Sequence, residues 1–426
     1  MTKNCMRWIL PIAIIVVTGA KSQAESRKPT LSLNAIVQTV ADKNPELQYY
    51  NAEISKADGA VLNAQKLQNP EFAIDFGRKE SSASGIHQGQ GLIWEVSYAQ
   101  TFEYPGRIEL REAIAQKHVT IAELQLNKFR LALSNKATNI ALELFQAQQN
   151  QETTQDIAYK VYNIFKVISQ RESAGPAIIL EKSLIEGSAI SFRQRAIEFA
   201  GETEKLSIEL NSLSGTDISS RYQVHVTHFG KIPIIPSERS LEAMAFESNP
   251  DLRIKKAELA QQGLKVQLAL HETNPSLTVR PYYSEERADE LEKTIGISLA
   301  VPLPIYNDNS GNIAIERAQT SQAETSLRTL EREIKGKITS LYASYRLRSE
   351  QIATLGSKSV NSLRNAAQEA EKQYELGVIP AATYLQLQEQ YLNNLILYRT
   401  SHTQLLKNVA ELEQIVAEPL TMERKE

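Results

Sequence analysis

The chain has 426 residues, room for two or three ordinary domains, and 42% of them are hydrophobic, enough for a large buried core. Its 47 Lys and Arg against 50 Asp and Glu give a net charge of −3, a balance that does not favour nucleic acid. A lone cysteine, Cys5, excludes a disulfide framework and a thiolate metal site.

At the N-terminus, Lys3 and Arg7 precede the apolar run Trp8 to Val17, and Ser22 and Ala24 supply small residues for cleavage. This pattern predicts a secretory signal peptide over residues 1–24. Ten apolar residues reach only about half way across a hydrocarbon core, too short for an anchor. Cleavage leaves 44 basic and 50 acidic side chains, six net negative charges. Cys5 lies ahead of the apolar run, where lipidation is not expected. No later segment approaches eighteen consecutive apolar residues, so any further crossing of a membrane must use strands.

Beyond the leader the sequence repeats. Asn44-Pro45 and Asn69-Pro70 stand twenty-five residues apart, as do Asn249-Pro250 and Asn274-Pro275, and a shift of 205 superposes the two sets. Each interval reads as one short helix, with proline near its start and proline stopping it before a strand. After it, Phe72, Ile74 and Phe76, then Leu92, Trp94, Val96, Tyr98, Phe102 and Tyr104, alternate with the period of a strand. The second half repeats this with Ile295, Ile297, Leu299, Val301, Leu303 and Ile305. The polar stretches 78–91 and 284–292 read as hairpin loops. A soluble sandwich strand also alternates, but these runs have the length and aromatic ends of membrane strands. Four strands cannot close a barrel, so either partners supply the rest or the sheet is not a barrel.

A long helix follows each strand pair, predicted over 108–173 and 313–376, with Ile157, Val161, Ile164 and Ile168 on one face of the first. Leu327, Leu330, Ile334, Ile338, Leu341 and Tyr345 mark the second. Each spans nearly 100 Å at about 1.5 Å per residue, which points to coiled-coil packing. Breakers at Ser173 to Pro176 and Leu376 to Pro380 form two tips, and heptads then run from Ala189 to Leu213 and from Tyr391 to Val416.

This order, with NPEL at Asn44, EYPGR at Glu103, AGPAIILEKSLIE at Ala174 and VPLPIYNDNSGNI at Val301, resembles the TolC family of outer-membrane efflux channels, and its heavy-metal, CzcC-like branch. The resemblance covers the mature chain, with repeats over 25–215 and 239–418, an equatorial linker at 216–238 and a tail at 419–426. It implies an α+β membrane protein: a long antiparallel coiled-coil helical barrel and four transmembrane strands per protomer, completed as a twelve-stranded barrel by a homotrimer in outer-membrane lipid. The expected partners are a periplasmic adaptor and an inner-membrane RND cation antiporter. The expected function is passive efflux, of heavy-metal cations first, with drug export, type I protein secretion or a soluble periplasmic scaffold as alternatives.

The resemblance also assigns a periplasmic gate. Glu181, six residues after Gly175, and Tyr374, three before Gly377, match a carboxylate and a tyrosine whose hydrogen bond holds the family's channel closed. Gly175, Pro176, Gly377 and Pro380 are the expected adaptor-contact tips. Thr383 and Gln386 stand where well-known members carry acidic residues, which argues against a carboxylate ring there.

His225 and His228 have a spacing that suits two metal ligands on a helix, but Val224, Val226, Pro233 and Pro236 argue for extended chain, where residues three apart diverge. His402 falls on a heptad seam and reads as a packed core residue, and His87 in a predicted loop lacks a second ligand. Met244 and Met422 form no relay for soft metal. The sequence therefore assigns no metal site, cofactor or catalytic residue, and it carries no phosphate loop, nucleophile elbow or zinc-protease signature.

Overall fold

The computed structural model describes residues 29–83, 86–170, 175–217, 219–227, 229–288 and 290–420. The predicted signal peptide, Ser173 and Ala174 of the first tip, His228, and residues 421–426 of the tail lie outside them. Chain order is β1 (Thr30–Ser32), α1 (Leu33–Lys43), α2 (Leu47–Ala64), β2 (Glu71–Ala83), β3 (Ile86–Phe102), α3 (Arg107–Ser169) and α4 (Pro176–Ser214). It continues with β4 (Gln223–His225), α5 (Glu238–Ser248), α6 (Pro250–His271), β5 (Leu277–Arg287), β6 (Leu291–Ala300), α7 (Ser310–Leu355), α8 (Ser357–Glu375) and α9 (Ala381–Val416). The second half thus repeats the first, with α7 and α8 together standing for α3.

The first Asn-Pro pair of each set does more than start a helix. The backbone N–H groups of Asn44 and Asn249 close the preceding helices on Val40 and Ala245. Their side-chain oxygens accept from the N–H groups of Glu46 (2.8 Å) and Leu252 (3.0 Å), opening the next helices. Both amide nitrogens then reach across to the returning helices and donate at 2.8 Å to the carbonyls of Leu213 and Ile415. One residue type thereby ties three helix ends together, twice. The helices between the pairs are shorter than the sequence suggests: α2 has 18 residues and α6 has 22, and both stop before the second proline. The residue before a proline is driven to extended geometry, and the chain straightens over several residues to enter the strand.

Helix α3 is one rod of 63 residues, about 95 Å long. Its counterpart is not the single helix expected over 313–376. It breaks at Gly356, whose φ of 51° lies in the left-handed region open to glycine, and the N–H of Gly356 closes α7 on Ile352. Helix α7 also starts earlier than expected, at Ser310, behind Asn309 with φ 61°; the start of α3 behind Gly106, φ 93°, is its mirror in the first repeat.

The strands form one antiparallel sheet of order β2-β3-β5-β6. The polar segments predicted as hairpin loops are mostly strand: β2 continues to Ala83, β3 begins at Ile86, β5 continues to Arg287 and β6 begins at Leu291. His87 consequently lies in β3. A ladder is made by backbone, so pairing continues where the apolar alternation that marks strands in sequence has ended. At its other end β6 stops at Ala300 rather than at Ile305, because Pro302 and Pro304 have no N–H for a ladder.

Buried clusters are spaced along the helices. Ile36 and Val40 of α1 pack with Leu206 and Leu210 of α4 and with α3, and their equivalents Leu241 and Ala245 of α5 pack with Leu412 and Val416 of α9. Between the repeats, β4 pairs in parallel with β1, and Gln148 of α3 holds it by accepting from the Val224 N–H (3.0 Å) and donating to the Tyr222 carbonyl (2.8 Å).

His402 of α9 is fully buried against the rings of Tyr398 and Phe229, and neither ring nitrogen has a hydrogen-bond partner. Burial lowers its pKa below the ordinary histidine value. The unfolded chain therefore takes up this proton first, so the stability contributed by neutral His402 is complete above about pH 6.5 and falls as pH drops below it, by up to about 1.4 kcal/mol per pH unit. His402→Leu is expected to flatten the loss of stability between pH 7.5 and 5.5, read from denaturant midpoints. An unchanged pH profile would place the acid sensitivity elsewhere.

Candidate functional site

The two tips present the residues singled out by sequence. Gly175, with φ 109°, precedes α4, and Pro176 occupies its first turn, where a missing N–H is tolerated. At the second tip α8 ends in a Schellman arrangement: the Gly377 N–H donates to the Tyr374 carbonyl (2.9 Å) and the Val378 N–H to the Gln373 carbonyl (2.8 Å), with Gly377 at φ 73°. Pro380 caps α9, its carbonyl accepting from the Thr383 and Tyr384 N–H groups. All four tip residues are exposed.

These turns bring Glu181 and Tyr374 together. The Tyr374 hydroxyl donates to Glu181 Oε1 at 3.0 Å, across 193 residues of chain. The Tyr374 ring stacks on Tyr384, with centroids 5.4 Å apart and planes 14° from parallel. Tyr384 is fully buried, and burial raises its pKa well above the usual phenol value. Both rings sit on an apolar cluster formed by Ile157 and Val161 of α3, Ile185 and Phe192 of α4, and Leu385 and Leu392 of α9. Lys160 of α3 adds an ion pair to Glu371 of α8 at 3.2 Å. Thr383 and Gln386 are exposed on α9 and carry no charge. Around the tips, Leu180, Leu376 and Val378 expose 72%, 74% and 66% of their surface, an apolar rim on otherwise charged helices.

At the far end of the helices the sheet sorts its side chains by face. On one side Phe72 lies opposite Tyr98, Ile74 opposite Val96, and Phe76 opposite Trp94; across β3, Val96 faces Tyr283, which faces Ile295. This apolar side is open: Phe76 is 81% exposed and Ile295 84%. On the other side Arg280 lies 2.9 Å from Glu95 and 3.7 Å from Asp75, and Lys79 pairs with Glu286 and, at 3.7 Å, with Glu292. Small residues crowd this charged side; a Cβ on Gly296 would stand 2.6 Å from the Tyr282 ring.

The EYPGR segment carries the chain from β3 into α3 beside the end of α6. Arg107 donates to the carbonyls of His271 (3.2 Å) and Asn274 and to Ser276 Oγ (3.1 Å), covering the free carbonyls at the C-terminus of α6. Asn309 donates to the Ala269 carbonyl (2.8 Å) of the same helix end. Glu103 accepts both contacts of Arg111, at 2.8 and 2.6 Å.

Residues 242–418 match the family model described as outer membrane efflux protein. The match covers the second half of the chain. Over 299 residues, 69% of this chain and 68% of the relative, the chain is 21% identical to the cobalt-zinc-cadmium resistance protein CzcC of Cupriavidus metallidurans. A membrane protein from Pseudomonas aeruginosa shares its fold with a TM-score of 0.74 at 17% identity, covering 99% of this chain and 98% of that one. CusC, a transmembrane channel, shares it with a TM-score of 0.73 at 12% identity, covering 97% and 98%. The second half thus resembles outer membrane efflux proteins, and the whole chain shares its fold with CusC.

Sequence reasoning named Glu181 and Tyr374 but missed the Tyr384 stack and the Lys160 to Glu371 pair, whose members lie 211 residues apart with no local signal. Among the described residues, no three His, Cys, Asp or Glu side chains are grouped to hold a metal; His225 is exposed at the end of β4. Removing one hydrogen bond to a carboxylate costs roughly 1.5–3 kcal/mol. Tyr374→Phe should leave the ring stack intact and speed amide exchange in the last turns of α8 about tenfold or more, with the sheet unchanged. Unaltered exchange in α8 would mean that the apolar cluster alone holds this helix.

Proposed function

We propose that the protein is the outer-membrane exit duct of a tripartite exporter whose cargo is heavy-metal cations. In this reading the leader is removed, repeats 25–215 and 239–418 are joined by the equatorial linker 216–238, and three copies place their strands side by side in a twelve-stranded barrel. The observation that carries the reading is the inverted sheet. A soluble sandwich turns its apolar face inward, whereas here that face is open and the ion pairs that link one strand to another lie on the opposite side. Lipid against the apolar face and a wet lumen against the charged one account for both. The strands, of 13, 17, 11 and 10 residues, meet the roughly 9 to 11 that a tilted crossing requires.

The duct does no chemical work; its energy comes from an inner-membrane RND cation antiporter, reached through a periplasmic adaptor. The adaptor engages Gly175, Pro176, Gly377 and Pro380 with the apolar rim around them, and the Glu181 to Tyr374 hydrogen bond holds the closed state until it does. The metal cargo rests on the likeness to CzcC. With Thr383 and Gln386 neutral, any preference for cations is not set on that turn of α9.

Two measurements test the proposal. In planar bilayers, Glu181→Ala or Tyr374→Phe should raise the resting conductance, and an unchanged value in both variants would remove the gate. A deletion strain should lose tolerance to at least one of zinc, cadmium, cobalt, nickel, copper and silver. Unchanged metal tolerance with new drug sensitivity, or with loss of a secreted protein, would reassign the cargo.

A further inference from the structure

We propose that the apolar side of the sheet ends in a basic rim, Arg78, Arg287 and Lys293, that holds the phosphates of the glycolipid forming the outer leaflet of the outer membrane. The inference rests on the channel reading, which puts the hairpin ends of the strands at the outer surface. In an outer membrane that leaflet is built of glycolipid whose sugars carry phosphate groups. The surface on the apolar side of the strands is what such a lipid would touch.

Charge on this side begins at one level. From Phe102 up to Val96 the residues that the ladder places on it are uncharged on all four strands. One row further, Lys293 stands opposite Glu285, and one row beyond that Arg78 stands opposite Leu92 and Arg287 opposite Leu291. Trp94 and Tyr283 close the apolar band just below, with ring centroids 5.4 Å apart. The distance from Phe102 to Trp94 along β3 is about 27 Å at roughly 3.4 Å per residue, or about 20 Å of depth at a tilt near 40°. The apolar band of a membrane barrel is about 25 Å tall, so the first charges fall where hydrocarbon gives way to headgroups. The other border of the band has no such row: there Phe102 faces Leu277, and Val279 faces Leu299.

The rim is short of carboxylates. Glu285 is already engaged, with its side chain 14% exposed, accepting from the Tyr283 hydroxyl at 3.3 Å and pairing with Arg287 at 3.1 Å. Arg287 is still 71% exposed. Arg78 donates to the neutral amide of Gln90, and among the described residues neither Arg78 nor Lys293 makes an ion pair. Glu80 stands a further row out, opposite Gln90. Strand and row spacings place the three basic residues about 8–16 Å apart, within reach of a disaccharide headgroup that carries a phosphate at each end. Arginine forks bind phosphate oxygens in pairs, and lysine adds a point charge.

The full mature chain, extracted from outer membranes in a mild nonionic detergent, can be titrated with bisphosphorylated lipid A, reading the midpoint of the rise in unfolding temperature. An Arg78→Gln/Arg287→Gln/Lys293→Gln variant should need about a hundredfold more lipid A, since each basic residue at an anionic surface contributes about fivefold in affinity. Lys79→Gln, which removes a cation from the opposite side of the sheet, should respond like the wild type. Lys293→Gln alone should shift the midpoint about fivefold, and it decides the matter if the triple variant does not accumulate. Dephosphorylated lipid A, phosphatidylglycerol and inorganic phosphate should each act far more weakly than bisphosphorylated lipid A. An unchanged midpoint in the basic-rim variants, or an equal response to any of those three, would overturn the rim as a glycolipid site while leaving the channel reading intact. A chain that fractionates without detergent would overturn the channel reading itself.

Discussion

A sheet edge carries backbone N–H and C=O groups that hydrocarbon cannot satisfy, and among the described residues both edges of the four-stranded sheet are open beside an exposed apolar face. The rest of the architecture answers that constraint. In the proposed barrel, closure requires more strands than one chain has, and further copies supply them. On the charged side Arg280 and Lys79 pair with carboxylates of neighbouring strands, and glycines leave room for Tyr282 and Ile93, as the concave wall of the proposed barrel would need.

The helices transmit this arrangement over a long distance without a continuous core. Each end is gripped by single polar side chains placed on helix-terminal carbonyls: Arg107 and Asn309 beside the sheet, Asn44 and Asn249 part-way down. Between these grips α3 runs unbroken, while its counterpart is cut at Gly356 into α7 and a 19-residue α8. A continuous helix resists bending along its whole length, and a glycine in the left-handed region interrupts that stiffness at one point. The two hairpins are thus unlike mechanically although alike in sequence order, and the polar links from α3 and α4, through Lys160 and Glu181, fall on the shorter one.

Much of this was legible in the sequence because it is periodic or punctuated. The duplication, the strand faces and the seams from Ala189 to Leu213 and Tyr391 to Val416 follow from alternation and heptads, and EYPGR marked a junction without revealing what Arg107 holds. Three features escaped for physical reasons. Strand continues through the polar hairpins because ladders are made of backbone. The break at Gly356 was hidden because a helix often tolerates an interior glycine, as α7 does at Gly336. The ring stack of Tyr374 on Tyr384 depends on the bend of the second tip, and residue spacing does not encode that bend.

In the proposed gate, magnitudes decide what holds the tips closed. One hydrogen bond from a tyrosine to a carboxylate contributes roughly 1.5–3 kcal/mol, and one ring stack about 0.5–1.5 kcal/mol. In the proposed trimer three copies give on the order of 10 kcal/mol, above the roughly 5.5 kcal/mol that moves a two-state population from 99:1 to 1:99. An adaptor that covers Leu376 and Leu180 at each tip gains roughly 1.5–3 kcal/mol for each fully buried side chain, comparable to the links it must break. The closed state then stands while the apolar rim is bare, and an adaptor that covers the rim only in the open arrangement offsets the lost links.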